Sequence, residues 1–541
     1  MSHAGKLARA VESRVLAAVA PRAGHRPAVQ PDLAGRLGAG ARLSTGTLLS
    51  GGAVALAGTV LRVWHLNSLG FNSDEAVYAG QAASIAGAPA FKPIFPIFRA
   101  HPLLYQFSLA LAYHWGVSDL TARLLAVAFG LAALVCVYRA GSLLYGERVG
   151  MVAALLLGVM PYHVVVSRQA LLDGPMVTFA TLTLWLLARF AVSERPGWLY
   201  AAGAGLGLTF LAKETGIVLA PAIYAFLALS PSIRVRLRDI GLSALFAAVV
   251  IAPFPLSLLL GGGTKAGKGF LAWQLFRPPN HSGGFYVGHV PAALGWPLVA
   301  AAFAALWLLR REWSWRENLL LVWVAIPALF FQLWPVKGFQ YLLPVAPALA
   351  IMAARALVGW STGERRPLGP WQVRGVWLQA GLVTVVAAAL ALGSWTRIGA
   401  ANSTEFLAGS GGVPGGRAAG LWLGEHVPSG AQMLALGPSM ANILQFYGHQ
   451  RVFGLSVSPN PLHRNPAYDP LPNPDQLLRD GRMQYLVWDS YSAARSGFFS
   501  TKLFRYVQRY HGRVIHVETV RVHARGGATD QPVVVIYQVR P

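Results

Sequence analysis

The 541-residue sequence is poor in charged residues, which make up 12% of the chain against about a quarter in an ordinary soluble domain. Hydrophobic residues make up 55% of it, and the mean hydropathy is +0.47. A chain of this composition cannot bury its apolar side chains in a single aqueous core. The composition therefore predicts that most of the chain lies in a membrane.

Cysteine and acidic residues are also scarce. The single cysteine, Cys136, lies in an apolar run, which excludes an intrachain disulfide framework and a cysteine-rich metal site. Only 21 Asp and Glu residues accompany 45 Lys and Arg residues, so the formal net charge is +24. Seven of the basic residues lie in residues 1–43, which we interpret as a disordered cytoplasmic tail without a cleavable signal peptide.

Eleven apolar runs follow this tail. A helix needs about 20 residues to cross about 30 Å of hydrocarbon, and each run has this length or is a few residues shorter. They cover 44–65, 121–141, 149–166, 172–192, 197–211, 214–230, 239–260, 291–309, 318–334, 341–358 and 375–397. The shorter run 102–116 favours an interfacial or re-entrant helix. With a cytoplasmic N-terminus, the inner segments hold 20 Lys and Arg residues and the outer loops hold 8. This asymmetry supports eleven spans in a plasma (inner) membrane, and it accounts for much of the positive charge without nucleic acid.

An odd number of spans places residues 398–541 outside the cytoplasm, after a membrane domain at 44–397. This last region alternates helical patterns with short β-rich runs, which predicts a small soluble α/β domain. The predicted strands are 433–436, 452–457, 484–488, 514–517 and 533–539. The region has no phosphate-binding glycine motif and no metal-ligand spacing, so we expect a lid or an acceptor platform without chemistry of its own.

Polar and charged residues gather in the five outer loops of this topology. A charge near hydrocarbon costs about 3 kcal/mol, so such residues usually have a function. The candidates are Asp74, Glu75 and His101 in the first loop, Arg168 and Asp173 in the second, Lys213 in the third, His281 in the fourth, and Lys337, Gln340 and Tyr341 in the fifth. Each alone has a structural explanation, such as a helix-capping acid, an ion pair at a helix end or an anchoring lysine. Their gathering at one membrane face favours a shared site.

A shared site of this kind suits chemistry on a lipid-linked phosphate. Two lysines and an arginine at the level of the lipid headgroups would bind the phosphate. Nearby carboxylates would accept a proton from a hydroxyl nucleophile or hold a divalent cation. Asp74 and Glu75 lie about 100° apart on a helix, so we do not expect them to share one proton. Because the helix dipole favours its anion, Asp74 is expected to stay ionised.

These residues lie in motifs that resemble those of the membrane glycosyltransferases of the C-type (GT-C) fold, especially the protein O-mannosyltransferase-like and lipid A aminoarabinose transferase-like enzymes. The motifs are Asp74-Glu75, His101-Pro102-Leu103-Leu104-Tyr105, Arg168 with Leu172-Asp173, Lys213, and Lys337 with Tyr341-Leu342-Leu343-Pro344. They occur in family order over about 60–360. The resemblance implies a mainly α-helical, polytopic GT-C fold with an outer active site. It also implies a polyprenyl-phosphate sugar donor and an extracytoplasmic protein, lipid or glycan acceptor.

The resemblance also implies roles for single residues. Asp74 is the implied general base, Asp173 a second acidic site residue, and Lys213 and Lys337 the contacts of the lipid-linked phosphate. The resemblance implies that Glu75, His101 and His281 form a polar or metal-binding network. A divalent metal ion is therefore a possible cofactor. The chain departs from the family at Gln340, where an arginine is frequent, and at His101-Pro102-Leu103-Leu104, where the family has His-Pro-Pro-Leu.

The leading hypothesis is therefore a cell-envelope glycosyltransferase that moves one sugar from a polyprenyl phosphate to an outer acceptor with inversion. A transporter or flippase of lipid-linked sugars is the alternative from another class, and a structural membrane subunit is the third. Transporters tend to show internal repeats and polar residues near the bilayer midplane. This sequence shows no detectable repeat, and its polar groups lie at the ends of the predicted spans.

Overall fold

A computed structural model describes residues 45–97, 101–260, 273, 276, 279–310, 313–359, 370–398, 412–460, 464, 465, 468, 470–524 and 527–541. The predicted cytoplasmic tail, residues 1–43, lies outside these residues. From Leu49 to Pro541 the chain clusters into one unit.

The chain before residue 399 is helical wherever it forms regular structure in its described part. The helices are α1 (Thr45–Val63), α2 (Ser73–Ile85), α3 (Leu104–Tyr113), α4 (Asp119–Tyr145), α5 (Glu147–Val159), α6 (Pro161–Val166), α7 (Asp173–Ser193), α8 (Pro196–Ala212), α9 (Leu219–Leu229), α10 (Leu237–Ile251), α11 (Pro253–Leu260), α12 (Phe285–Leu294), α13 (Trp296–Leu309), α14 (Trp315–Leu333), α15 (Ala346–Val358) and α16 (Pro370–Ile398). Two 3₁₀ helices, Glu214–Val218 and Phe339–Val345, precede α9 and α15. Each of the eleven apolar runs coincides with helix, and α3 occupies the shorter run 102–116.

In the described part of the chain, five helices are long and apolar enough to cross a membrane: Asp119–Tyr145, Asp173–Ser193, Trp315–Leu333, Phe339–Val358 and Trp377–Ile398. The number rises to seven if two bent pairs each count as one span: Leu237–Ile251 with Pro253–Leu259, bent by 48°, and Phe285–Leu294 with Trp296–Leu308, bent by 98°. Gly295 forms the sharper bend with a φ of 90°, which glycine adopts without strain. The chain is thus a mainly α-helical, multi-pass membrane protein, and the count of eleven spans stays a prediction.

The C-terminal part adds a five-stranded sheet with helices packed on it. Its elements are α17 (Gly416–His426), β1 (Gln432–Ala435), α18 (Pro438–Gly448), β2 (Arg451–Gly454), α19 (Pro474–Arg479), β3 (Tyr485–Asp489), α20 (Ser490–Arg495), α21 (Gly497–Arg509), β4 (Arg513–Ala524) and β5 (Gly527–Gln538). The strand order is β2-β1-β3-β5-β4. Strand β1 pairs in parallel with β2 and β3, whereas β5 runs antiparallel to β3 and β4. All five predicted strands are confirmed.

The two faces of this sheet carry different apolar layers, because successive side chains of a strand point to opposite faces. Leu486 packs in one cluster with Leu503 of α21. Its neighbour Val487 belongs to a second cluster with Ile443 of α18 and Ala79 of α2. The core of the sheet is therefore continuous with the apolar residues around α2, and the C-terminal part holds this helix in place.

Candidate active site

Helix α2 begins with a capping box that fixes the direction of Asp74. Asn72 Oδ1 accepts hydrogen bonds from the backbone N–H groups of Asp74 at 2.9 Å and Glu75 at 3.0 Å, and Asn72 N donates to Glu75 Oε2 at 3.0 Å. These bonds use only the backbone of Asp74. Within the described residues no donor contacts its carboxylate, which is exposed. The box thus presents an uncommitted carboxylate at the start of the helix.

The Asp74 side chain is exposed to solvent, but protein atoms crowd its carboxylate. Burial raises the pKa of this carboxyl above its ordinary value, and the positive charges of Lys213 and His101 partly oppose the rise. The negative charge of Asp173 adds to it. The helix dipole alone led us to expect a stabilised anion; burial acts in the opposite direction and is the larger effect. Because the charges of Asp173, Lys213 and His101 all act on Asp74, the four side chains belong to one site.

Asp173 and Lys213 form a buried ion pair within this site. Lys213 Nζ donates to both carboxylate oxygens of Asp173, at 2.8 and 3.0 Å. Asp173 begins α7 and Lys213 follows the end of α8, so two consecutive helices bring the pair to the same level. The ammonium also lies 5.3 Å from the centroid of the Tyr341 ring. Two of its three protons bind Asp173, which leaves one for another acceptor.

His101 completes the cluster together with a carboxylate that the sequence reasoning did not select. Glu214, the residue after Lys213, places Oε2 2.9 Å from His101 Nδ1. The ring of Tyr78, one turn along α2 from Asp74, meets the imidazole edge to face at 6.2 Å. We call Asp74, His101, Asp173, Lys213 and Glu214 the site cluster. The position of Glu214 beside Lys213 in one short loop was the available signal for it.

Glu75 belongs to a different structure, although the sequence indicated a catalytic or metal-binding role. Arg123 Nε donates to its Oε1 at 2.9 Å and Arg123 Nη2 to its Oε2 at 2.8 Å. The backbone N–H groups of Asn72 and Ala170 donate to the same carboxylate. The Glu75 side chain is completely buried. Because these donors occupy both oxygens, Glu75 joins three segments of the fold and is not placed to exchange a proton or bind a metal ion.

Two of the expected phosphate-binding cations instead cap helices. Arg168 Nη1 donates to the carbonyl oxygens of Leu61 at 2.8 Å and Arg62 at 2.9 Å, at the end of α1, and Nη2 donates to that of Trp64 at 2.7 Å. Lys337 Nζ donates to three backbone carbonyl oxygens at the end of α14, those of Phe331, Gln332 and Trp334. Carbonyls at a helix end lack partners within the helix, so a cation there is stabilising. All three protons of the Lys337 ammonium are used in this way.

The remaining candidates do not assemble a metal site. His281 is exposed, and its ring stacks on Phe285 at 4.2 Å. Gln340 lies half-buried in the 3₁₀ helix before α15. No group of three His, Cys, Asp or Glu side chains in the described part of the chain is arranged to hold a metal ion. The proposed ligands Glu75, His101 and His281 do not fit one, since Glu75 is occupied by Arg123.

A further residue reaches the site from the C-terminal part. The side chain of Tyr468 lies next to Ser73 and Asn442, and the charge of Asp74 acts on it. Asn442 Nδ2 donates to Ser73 Oγ at 3.0 Å. Burial raises the pKa of Tyr468 to about 12, so it is a protonated phenol at neutral pH. Tyr468 is not among the candidates that the sequence indicated, and the sequence offers no signal for this contact.

Comparisons with known proteins agree with this architecture. A family model described as dolichyl-phosphate-mannose-protein mannosyltransferase matches residues 100–257. The search of curated proteins finds no match. Two solved structures of ArnT from Cupriavidus metallidurans, each 17% identical in sequence, resemble the chain. The apo form has a TM-score of 0.66 and covers 92% of this chain and 98% of its own. The form bound to undecaprenyl phosphate has a TM-score of 0.62 and covers 91% and 98%.

An archaeal protein shares the same architecture at lower identity. The oligosaccharyltransferase AglB from Archaeoglobus fulgidus, solved with an inhibitory peptide and a dolichol-phosphate, is 14% identical with a TM-score of 0.55. The match covers 90% of this chain and 74% of AglB. The chain thus has the GT-C fold, and residues 100–257 of its helical part are similar to the mannosyltransferase family.

Proposed function

We propose that this chain transfers a sugar from a polyprenyl-phosphate donor to an acceptor outside the cytoplasm, with Asp74 as the general base. One observation carries the proposal: Asp74 is the carboxylate of the site cluster that is exposed and engaged by no described donor. Asp173 is paired with Lys213 and Glu214 with His101. A general base needs an accessible carboxylate with a raised pKa, and Asp74 combines both properties.

The proposed reaction is a single displacement at the anomeric carbon. The acceptor hydroxyl gives its proton to Asp74 as its oxygen forms a bond to that carbon. The bond from the carbon to the phosphate oxygen breaks, and the electron pair leaves with the lipid phosphate. Attack opposite the leaving group inverts the anomeric configuration. The chain would run this reaction at the outer face of an inner membrane, with its N-terminus in the cytoplasm.

Lys213 is the proposed partner of the departing phosphate. Asp173 holds the ammonium with two hydrogen bonds, and its third proton can bind a phosphate oxygen as negative charge develops there. The helix-capping bonds of Arg168 and Lys337 leave this task to Lys213. The ligands of the similar structures, undecaprenyl phosphate in ArnT and dolichol-phosphate in AglB, support a lipid phosphate of this type as the donor.

The proposed base gives a definite pH dependence. Burial raises the pKa of Asp74, so the carboxyl is protonated, and inactive as a base, up to a higher pH than an ordinary aspartate. Transfer should therefore fall as the pH is lowered through an apparent pKa above 3.8, the ordinary value. Activity against pH at saturating donor measures this limb. An acid limb centred at or below the ordinary value would contradict the assignment.

Lys213 and Lys337 should differ in what their removal changes. Lys213→Gln should raise the donor KM by about 10- to 100-fold, because a charge-assisted hydrogen bond to phosphate is lost. Lys337→Gln should leave the donor KM unchanged and lower the free energy of unfolding by about 1–3 kcal/mol, because the end of α14 loses its cap. Donor titrations and denaturant unfolding in detergent measure the two effects.

A double variant separates donor binding from the loss of a buried charge partner. Asp173, which is 2% exposed, would be left without its cation in Lys213→Gln. Lys213→Gln combined with Asp173→Asn restores a neutral, hydrogen-bonded pair. The double variant should have a higher free energy of unfolding than Lys213→Gln alone, and its donor KM should stay raised. If the double variant regains the parental KM, Lys213 does not contact the donor.

A further inference from the structure

A cavity of about 330 Å³ lies between α2 and the C-terminal part. Gln81 of α2 lines one side of it, and Asn442 and Gln445 of α18 line another. Asp74 and Gln81 are seven residues, or about two helical turns, apart on the same face of α2, so the cavity lies along the face that begins at Asp74. A volume near 300 Å³ is at the small end for ligand pockets. It suits a compact ligand better than an extended chain.

The walls of the cavity combine carboxamides with flat apolar surfaces. Gln445 offers a carboxamide to the cavity, whereas Gln81 Oε1 already accepts from Gln106 Nε2 at 3.2 Å and Asn442 Nδ2 donates to Ser73 Oγ at 3.0 Å. Phe95 and Phe453 add aromatic side chains to the lining. Carboxamides can satisfy hydroxyl groups in either direction. No carboxylate lies among the described lining residues. These walls suit a ligand that has several hydroxyls and apolar ring faces.

Arg451 gives the lining of the cavity a positive charge. It is the one charged side chain among the described residues that line the cavity. It is exposed, forms no ion pair in the described part of the chain, and stacks its guanidinium 5.2 Å from the centroid of the Phe453 ring. A guanidinium without a carboxylate partner binds carboxylate or phosphate in a bidentate manner. The cavity therefore favours a ligand with negative charge over a neutral or cationic one.

Tyr468 joins this cavity to the proposed base. It lines the cavity and lies next to Ser73 and Asn442, whose side chains are hydrogen-bonded to each other, and the charge of Asp74 acts on it. A ligand that fills the cavity would therefore have one end beside Tyr468 and within the neighbourhood of Asp74. That end is where an acceptor hydroxyl has to lie for its proton to pass to the base.

We infer that this cavity is the acceptor site, and that the acceptor is a sugar unit carrying a carboxylate or a phosphate. Arg451 binds the anionic group, the carboxamides bind hydroxyls, and the aromatic faces pack against the ring. The reacting hydroxyl lies at the Tyr468 end and undergoes the displacement described above. The inference rests on the proposed function, since it names the acceptor of that reaction, and it gives the C-terminal part a direct share in the site.

Binding of three glycosides without any donor tests this inference. Three probes are the methyl glycosides of glucose, glucuronic acid and glucose 6-phosphate, which differ from one another only at carbon 6. The fourth probe is a peptide that contains serine and threonine. We expect the purified full chain in detergent to bind at least one anionic glycoside about tenfold or more tightly than the neutral one. The two anionic probes distinguish a carboxylate from a phosphate. Titration calorimetry or ligand-observed NMR measures the affinities.

Two variants and a control locate the binding. Arg451→Gln should remove the preference for the anionic glycosides, and Gln445→Trp, which fills the cavity, should weaken all three glycosides. Arg521→Gln removes an exposed arginine of β4 that does not line the cavity, and it should bind as the parent does. Thermal unfolding confirms that each variant is folded. If one of Arg451→Gln and Gln445→Trp does not fold, binding to the other variant tests whether the glycosides occupy the cavity.

The outcomes separate this inference from the proposed function. The acceptor assignment is overturned if no glycoside binds, if the neutral glycoside or the peptide binds most tightly, or if Arg451→Gln and Arg521→Gln behave alike. If Asp74→Asn still transfers sugar at the parental rate while Arg451→Gln loses anionic binding, the proposed base fails and the anionic glycan site stands.

Discussion

Asp74→Asn should lower the rate of sugar transfer by about 100- to 10,000-fold, the range that general base catalysis supplies. Asparagine has nearly the same shape as aspartate but cannot accept the acceptor's proton. The substitution should not disturb the fold, because the capping box uses the backbone N–H of Asp74 and no described donor contacts its carboxylate. Transfer from a radiolabelled polyprenyl-phosphate sugar, measured on purified protein, gives the rate.

The control for this variant is Asp530→Asn, the same change at an exposed position of β5. It should transfer sugar at the parental rate. Donor affinity should stay close to parental in Asp74→Asn, since the proposed phosphate contact is Lys213. A loss confined to the donor KM, with kcat unchanged, would show that Asp74 binds the donor and does not act as the base.

The C-terminal sheet shows what the sequence could predict well. Runs such as Val514–Val517 and Val533–Ile536 are rich in β-branched residues, so the local pattern specifies the strands that contain them. The contact of Tyr468 with Ser73 has no such local pattern. It depends on how the sheet packs through α18 onto α2, which is a property of the assembled core. Local periodicity predicted the elements, and long-range packing decided which loops share the site.

The cations show why charge at a predicted span end is ambiguous. A lysine or arginine there has two suitable partners, the phosphate of a lipid and the unpaired carbonyls of a helix end. Lys337 caps the helix that immediately precedes it, whereas Arg168 caps α1, which is distant in sequence. Lys213 differs because its ammonium pairs with the Asp173 carboxylate and caps no helix among those the structure describes. Spacing alone does not distinguish these three cases.

Glu75 illustrates the same ambiguity for an acid, and here the structure predicts a large effect on stability. Glu75→Gln should lower the free energy of unfolding by about 3–5 kcal/mol, because it leaves the charge of Arg123 buried without its partner. Both side chains are at most 5% exposed. Arg123 also donates to the carbonyl oxygens of Leu66, Leu69 and Gly70, so the pair fixes the segment that leads into α2. Denaturant unfolding in detergent measures the loss.

A comparison with the neighbouring acid separates a structural role from a catalytic one. Asp74→Asn and Glu75→Gln each replace one carboxylate by an amide at the start of α2. Asp74→Asn should lower the transfer rate by the factor given above and leave the free energy of unfolding unchanged. Glu75→Gln should lower the free energy of unfolding, and its activity should fall only as folded protein is lost. Catalysis by Glu75 would instead give a folded, inactive variant with parental unfolding.

A double-mutant cycle carries this argument one step further. If the cost of Glu75→Gln comes from the unpaired guanidinium, replacing Arg123 by methionine as well should be less destabilising than the two single changes added together. The difference measures the coupling across the pair. Strictly additive losses would mean that the two side chains act independently. Glu75 would then hold α2 through its backbone donors, Asn72 and Ala170, and the ion pair would contribute nothing to placing Asp74.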